Sequence, residues 1–196
     1  MAKLHFYYSA MNAGKSTTLL QSAHNYYERG MKVLLFTPVI DNRSGKNKIS
    51  SRIGLEATAI SFDKDFNFLA YIKEYLTNNL INCILLDEGQ FLEKQQVKQL
   101  SDITIEHNIP VLVYGLRSDF QGEPFEGSKY LLAWAENLIE LRTICHCGKK
   151  ATMNLRVDKN GQPVRIGEQI EIGGNERYLA VCRKHFNEGK YQNKIC

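Results

Sequence analysis

The sequence predicts an α/β protein: a parallel sheet with flanking helices, followed by a small β-rich, zinc-binding module. Three observations carry that expectation. Short apolar runs alternate with helix-period stretches through residue 142 or so, the order that builds a parallel sheet with ligands at the carboxyl ends of its strands. The first run leads directly into Ser9-Ala10-Met11-Asn12-Ala13-Gly14-Lys15-Ser16, which has the make-up of a phosphate-binding P-loop. At Cys145 the text changes, and two Cys/His pairs bracket short strand-like segments separated by turns. The boundary is therefore set near residue 143, with an α/β domain over 1–142 and a metal-binding module over 143–196.

Each element has its own warrant. Leu4 to Tyr8 is the first strand, and the helix after the P-loop runs to about Arg29, where Gly30 suits a left-handed helix end. Lys32 to Thr37 is the second strand. The polar stretch Asp41 to Ser51 is expected as a mobile loop, and Ala57 to Ser61 as a short strand. Leu69, Ile72 and Leu76 recur at helical spacing, as do Val97, Leu100 and Ile103. Cys83 to Asp87 is a continuous apolar run of the kind buried on both faces of a parallel sheet. Val111 to Leu116, entered through Pro110, is a further strand; Gly127 to Ala135 is a helix and Leu138 to Leu141 returns as strand. In the module, Ala151 to Val157 and Gln169 to Ile172 are strand-like, with a turn at Asp158-Lys159-Asn160-Gly161 between them.

The P-loop chemistry needs these residue types. Backbone N–H groups converge on the phosphates, Lys15 supplies a point charge, and the following helix aims its positive end at the anion. The hydroxyl of Ser16 is a Mg²⁺ ligand in such loops. The usual pattern opens with glycine, and this one opens with Ser9. A nucleotide site of this kind also needs a carboxylate on the metal side at the end of a second strand. Asp87 fills that place. Glu88, one residue on, faces differently and is a candidate base.

Cys145-His146-Cys147 and Cys182-Arg183-Lys184-His185 are two close-spaced ligand pairs. Brought together by a β-ribbon, Cys145, Cys147, Cys182 and His185 make a closed, tetrahedral Zn²⁺ site with no open position, hence a structural one. His146 competes for the fourth place but sits between two cysteines and would approach under strain. A module this small has little core of its own, so metal binding would contribute folding free energy directly. Cys83, inside a strand, is a small core residue, and Cys196 carries no signal.

Composition excludes other classes. A net charge of +4, from 25 basic and 21 acidic residues, shows no basic block of the kind that grips nucleic acid. Hydrophobic content of 43% supports a true core. No segment has the apolar length of a membrane span, and no signal peptide precedes the P-loop. A cytoplasmic protein with reduced cysteines is expected.

The P-loop, the D-E-x-Q signature at Asp87-Glu88-Gly89-Gln90, the two Cys/His knuckles and Gly173-Gly174-Asn175-Glu176-Arg177-Tyr178 occur in one order. That combination resembles the type II, zinc-containing thymidine kinases, over essentially the whole chain. The resemblance implies a C-terminal zinc lasso, ATP and thymidine as substrates, Mg²⁺ as cofactor, dTMP and ADP as products, and a place in deoxynucleotide salvage for DNA synthesis. Ser9 to Ser16, Asp41, Arg43, Asp87 and Gln90 would bind ATP, with Ser16 and Asp87 on the Mg²⁺. Glu88 would accept the proton of the sugar 5′-hydroxyl. Met11, Phe91, Leu116, Phe120 and Phe125 would wall the base. Gln169, Ile170, Glu171, Ile172 and Gly173 would read its edge through the main chain, and Tyr178 would anchor the lasso or touch the sugar. Feedback by dTTP and a homotetramer are further implications. The rival reading is a P-loop zinc ATPase acting on nucleic acid, which would show a basic stripe and motor motifs.

Overall fold

The computed structural model describes residues 1–40, 45, 47–169 and 177–191. Its centre is a six-stranded, all-parallel sheet built from β1 (Leu4–Ser9), β2 (Val33–Pro38), β5 (Ile60–Phe62), β6 (Cys83–Leu86), β7 (Val111–Leu116) and β8 (Asn137–Glu140), in the spatial order β5-β2-β6-β7-β1-β8. Four helices flank it: α1 (Lys15–Tyr27), α2 (Phe68–Tyr75), α3 (Lys94–Glu106) and α4 (Glu126–Trp134).

The continuous apolar runs are explained by coverage on both faces. Successive side chains of a strand point to opposite sides. Along β6, Cys83 and Leu85 pack with Leu19, Leu20 and Ala23 of α1. Ile84 and Leu86 pack with Ile72 of α2, Val97, Leu100 and Ile103 of α3, and Leu131 of α4. Cys83 is fully buried, as expected of a core residue. On the α2 side, Phe36, Phe62, Phe66, Phe68 and Tyr71 interlock largely edge-to-face, a geometry that matches ring edges to ring faces.

Register places the functional loops. In the β1–β7 pair Ser9 lies opposite Leu116, and in the β6–β7 pair Leu86 lies opposite Val113. The P-loop after β1, the acidic pair after β6 and the segment after β7 therefore leave the sheet on one edge. This is where open parallel sheets hold ligands.

Two expectations are corrected in detail. The stretch read as a mobile loop through Ser51 contains β3 (Lys48–Ser50), which pairs antiparallel with β4 (Glu56–Thr58); β5 follows separately. Alternation in Lys48-Ile49-Ser50 puts only Ile49 inside, among Leu19, Leu20 and Val33, too short a signal to stand out from polar neighbours. The expected strand Gln169 to Ile172 lies, beyond Gln169, outside the described residues.

After β9 (Thr143–Ile144), which pairs with β10 (Lys150–Ala151), β11 (Met153–Val157) is flanked by β12 (Pro163–Val164) and β13 (Tyr178–Val181), and α5 (Arg183–Glu188) follows. Its own small core joins Met153, Leu155, Val157, Val181 and Phe186 to Cys145 and Cys182. No helix among the described residues is long and apolar enough to cross a membrane.

The turn after β6 is wedged. A Cβ on Gly89 would stand 2.2 Å from Val113 Cγ1 of β7, and one on Gly127 of α4 would stand 2.4 Å from the Gly89 carbonyl oxygen and 2.8 Å from that of Leu92. The obstacle at Gly127 is backbone, which cannot rotate away. Gly127→Ala should cost about 1–3 kcal/mol and lower the melting temperature by several degrees. Thermal unfolding checks this, and an unchanged transition would mean that α4 has room to shift.

Candidate active site

One cavity of about 590 Å³ runs from the P-loop to an aromatic wall. Its lining brings together most of the residues singled out from the sequence: Met11 to Ser16 at one end, Asp87, Glu88 and Gln90 in the middle, and Phe91, Leu116, Phe120, Phe125, Gln169 and Tyr178 beyond. Ser9 and Ala10 are buried beneath the loop. Asp41, Arg43, Ile170, Glu171, Ile172 and Gly173 lie outside the described residues.

The loop's backbone accounts for its composition. Its positive φ angles fall at Asn12 (61°) and Gly14 (75°), while Ser9 ends β1 as a strand residue. Gly14 caps α1 in the left-handed region, where glycine bears no Cβ penalty. The Ser9 hydroxyl donates to the Ala10 carbonyl at 2.6 Å, and Lys15 Nζ donates to Ser9 Oγ and to the Ala10 carbonyl, both at 3.3 Å. The serine that departs from the usual glycine thus helps seat the lysine ammonium. The N–H groups of the first turn of α1 have no i−4 carbonyl within the helix and face the loop's concavity.

Across the cavity floor, Ser16 Oγ donates to Asp87 Oδ2 at 2.8 Å, and Asp87 Oδ1 accepts from the Glu88 backbone N–H at 3.0 Å. Asp87 is 4% exposed. Burial pushes its carboxyl well above the ordinary range, the neighbouring Glu88 charge adds to that, and the Ser16 hydrogen bond opposes it. A hydroxyl and a carboxylate held this close, with the charged form of the acid disfavoured in isolation, are a donor pair suited to a hard divalent cation.

Glu88 adopts φ 53°, ψ 43°, an uncommon conformation for a residue with a side chain, costing about 1–3 kcal/mol. The two carboxylates take different side-chain partners, Ser16 for Asp87 and Gln90 for Glu88. Gln90, 4% exposed, then bridges two elements: its amide Nε2 donates to Glu88 Oε2 at 2.5 Å, and its Oε1 accepts from the Leu116 N–H at 3.0 Å. Gly115 lets this happen, since a Cβ there would lie 3.0 Å from Gln90 Oε1.

The far wall is aromatic. Phe91 and Phe125 meet edge-on with centroids 6.3 Å apart, and Phe120 meets Tyr178 at 6.5 Å. The Arg156 guanidinium stands over both Phe120 (5.0 Å) and Tyr178 (5.8 Å). The Gln169 side chain donates to Asp119 Oδ2 at 2.8 Å. Asp119 also accepts from the Gln121 and Glu123 N–H groups and is 4% exposed, so it holds the Gln169 side chain from a fixed position.

Cys145, Cys147, Cys182 and His185 form the metal-type cluster, their ligand atoms all within 4.8 Å of one another. Cys145 Sγ and Cys182 Sγ lie 3.3 and 3.4 Å from His185 Nδ1, and the Cys147 and Cys182 sulfurs are 3.9 Å apart. Ligands at tetrahedral Zn²⁺ bond lengths stand about 3.5–3.8 Å apart, so the residues fit that ion. His146 is outside the cluster and stacks on the His185 ring at 4.2 Å.

Several lining residues carried no sequence signal: Thr37, Ile40, Lys48 to Ile53 and Asp119. Lys48 to Ile53 reach the cavity through the β3–β4 pairing, a tertiary event. Asn154 had a faint one, a lone amide inside the otherwise apolar start of β11.

The thymidine kinase family model matches residues 2–186. This chain belongs to the thymidine kinase family. It is 63% identical to a thymidine kinase of Coxiella burnetii over 97% of both chains. It is 59% identical to one of Rhodopirellula baltica, covering 98% of this chain and 91% of that one, and 60% identical to one of Mannheimia succiniciproducens, covering 98% and 100%. The resemblance drawn from the motif set is thereby supported at the level of the thymidine kinase family, over a region that includes the four Cys/His positions.

The raised Asp87 carboxyl has a consequence for stability. The unfolded chain gives up this proton at a lower pH than the folded one, so Asp87 makes the ligand-free protein less stable as pH rises from the ordinary carboxyl range towards the raised value. Asp87→Asn should flatten that slope and, at neutral pH, melt at or above the wild-type temperature. Thermal unfolding of both proteins from pH 4 to 8 tests it; a variant less stable than wild type at neutral pH, with the slope intact, would refute the assignment.

Proposed function

We propose that the chain is an ATP-dependent thymidine kinase, transferring the γ-phosphoryl group of ATP to the 5′-hydroxyl of thymidine. The observation that carries this reading is the single cavity joining a P-loop and buried acidic pair to an aromatic wall. Family membership and the relatives' names supply the nucleoside.

In this reading Lys15 and the N–H groups opening α1 hold the phosphates, with Asp41 and Arg43 assisting. Ser16 and Asp87 would hold Mg²⁺, which supplies charge neutralisation for the phosphates. Glu88 accepts the 5′-hydroxyl proton as that oxygen forms its bond to the γ-phosphorus; the bond from that phosphorus to the β,γ-bridging oxygen breaks and ADP leaves with the electron pair. Gln90 fixes which way the Glu88 carboxylate points. Phe91, Phe120, Phe125, Leu116 and Met11 enclose one ring, and the main chain of Gln169 to Gly173 matches thymine's N3–H donor and two carbonyl acceptors. Tyr178 closes the wall. Cys145, Cys147, Cys182 and His185 would hold Zn²⁺, which would tie β9 and the turn after it to the start of α5. A cytoplasmic homotetramer inhibited by dTTP completes the proposal, by family resemblance.

Glu88→Gln should retain ATP and thymidine binding and lose about 10²–10⁴-fold in turnover, the usual contribution of a positioned base. Steady-state rates with equilibrium binding separate the two, and turnover within about threefold of wild type would remove Glu88 from this role. Substrate competition tests the pocket. Cytosine presents a donor where thymine has an acceptor, leaving a backbone group unpaired, so deoxycytidine should be rejected and purine nucleosides excluded by size. Efficient phosphorylation of either would favour a broader nucleoside kinase. ADP release driven by DNA and indifferent to thymidine would favour the nucleic-acid ATPase.

A further inference from the structure

Asn154 sits on β11, in the zinc-bearing part of the chain, and is 2% exposed. Its side chain makes two hydrogen bonds, and both leave that part of the chain. Its Oδ1 accepts from the Met11 backbone N–H at 2.8 Å, and its Nδ2 donates to the Ser118 carbonyl at 2.8 Å. One amide thus spans the P-loop and the segment after β7. Two further links run alongside: Thr143 Oγ1 donates to the Asn12 carbonyl at 3.3 Å, and Arg117 Nη2 donates to the Thr152 carbonyl at 2.9 Å.

The Met11 N–H precedes the left-handed residue Asn12 and the cap Gly14. Phosphates are cradled further on, at the opening of α1. Asn154 therefore takes a donor at the loop's entry and fixes the turn that aims the later ones. The Met11 N–H is part-buried, and losing the Asn154 oxygen would remove the acceptor that holds it in this orientation.

We infer that Asn154 is a positioning residue that ties the P-loop to the zinc-bearing module, so that zinc occupancy is felt at the ATP phosphates as well as at the nucleoside. The inference rests on the kinase reading and extends it. An α/β domain that held ATP by itself would leave metal loss to be felt at thymidine alone. The Asn154 bridge makes the ATP half dependent too.

The test measures ATP-Mg²⁺ affinity without thymidine, together with amide hydrogen exchange in the peptide spanning residues 9–14. Wild type is compared before and after zinc is stripped with a chelator, and Asn154→Leu, branched in the same way but bulkier and without the amide, is compared with its metal loaded. Stripping zinc from wild type should weaken ATP binding about tenfold and speed exchange at Met11. Asn154→Leu should do the same while still holding one Zn²⁺ per chain, and stripping its metal should add no more than about twofold. Asn154→Ser, the smaller polar replacement, decides the matter should the leucine variant fail to retain its zinc; it should also lose about tenfold in ATP affinity. Affinity within twofold of wild type in the metal-loaded variants, with thymidine binding alone reduced, would make Asn154 only a wall of the cavity and overturn the inference. Thymidine-dependent ADP release by wild type is scored separately, so failure of the kinase reading is distinguishable from failure of the bridge.

Discussion

The wedge between β7 and α4 at residues 88–92 is the constraint on which the site depends. The backbone there passes so close to both elements that Gly89 and Gly127 admit no side chain. Held that tightly, Glu88 stays in a conformation that a residue with a Cβ seldom adopts, and two adjacent acids diverge. Asp87 turns to Ser16 and the P-loop; Glu88 turns to Gln90. Without the wedge the pair would relax into an ordinary strand end, and no division of labour between the two carboxylates would follow.

The sheet adds the second condition. Because β1, β6 and β7 are parallel neighbours in a fixed register, three loops from distant parts of the sequence emerge on one edge. Burial of the sheet by helices on both sides keeps that register from slipping, since a one-residue shift would exchange the side chains packed on α1 with those packed on α2 and α3. Precision in the site is inherited from hydrophobic packing well away from it.

Much of this was legible in the sequence where chemistry is local. The P-loop, the acidic pair and the Cys/His knuckles announce themselves because a few neighbouring residues must act together, and strand and helix periods are local as well. What was not legible depends on distance. Nothing near Gln90 says that its amide will reach both Glu88 and the Leu116 N–H, and nothing near Asp119 says that Gln169 will dock on it. The β3–β4 pairing was hidden for a different reason: three-residue strands offer a single inward side chain, too little for a period to show. Asn154 lay between these cases, visible as an oddity in an apolar strand but with partners that only the folded chain supplies.

Ser9 bears on how such loops are recognised at all. Its backbone belongs to a strand, and left-handed geometry is demanded only at Asn12 and Gly14. A text pattern that insists on glycine in the first place therefore screens for a freedom the polypeptide does not use, and it would pass over this chain. A search written in dihedral angles would keep Gly14, tolerate any small polar residue at the entry, and recover nucleotide-binding loops that letter-by-letter matching discards.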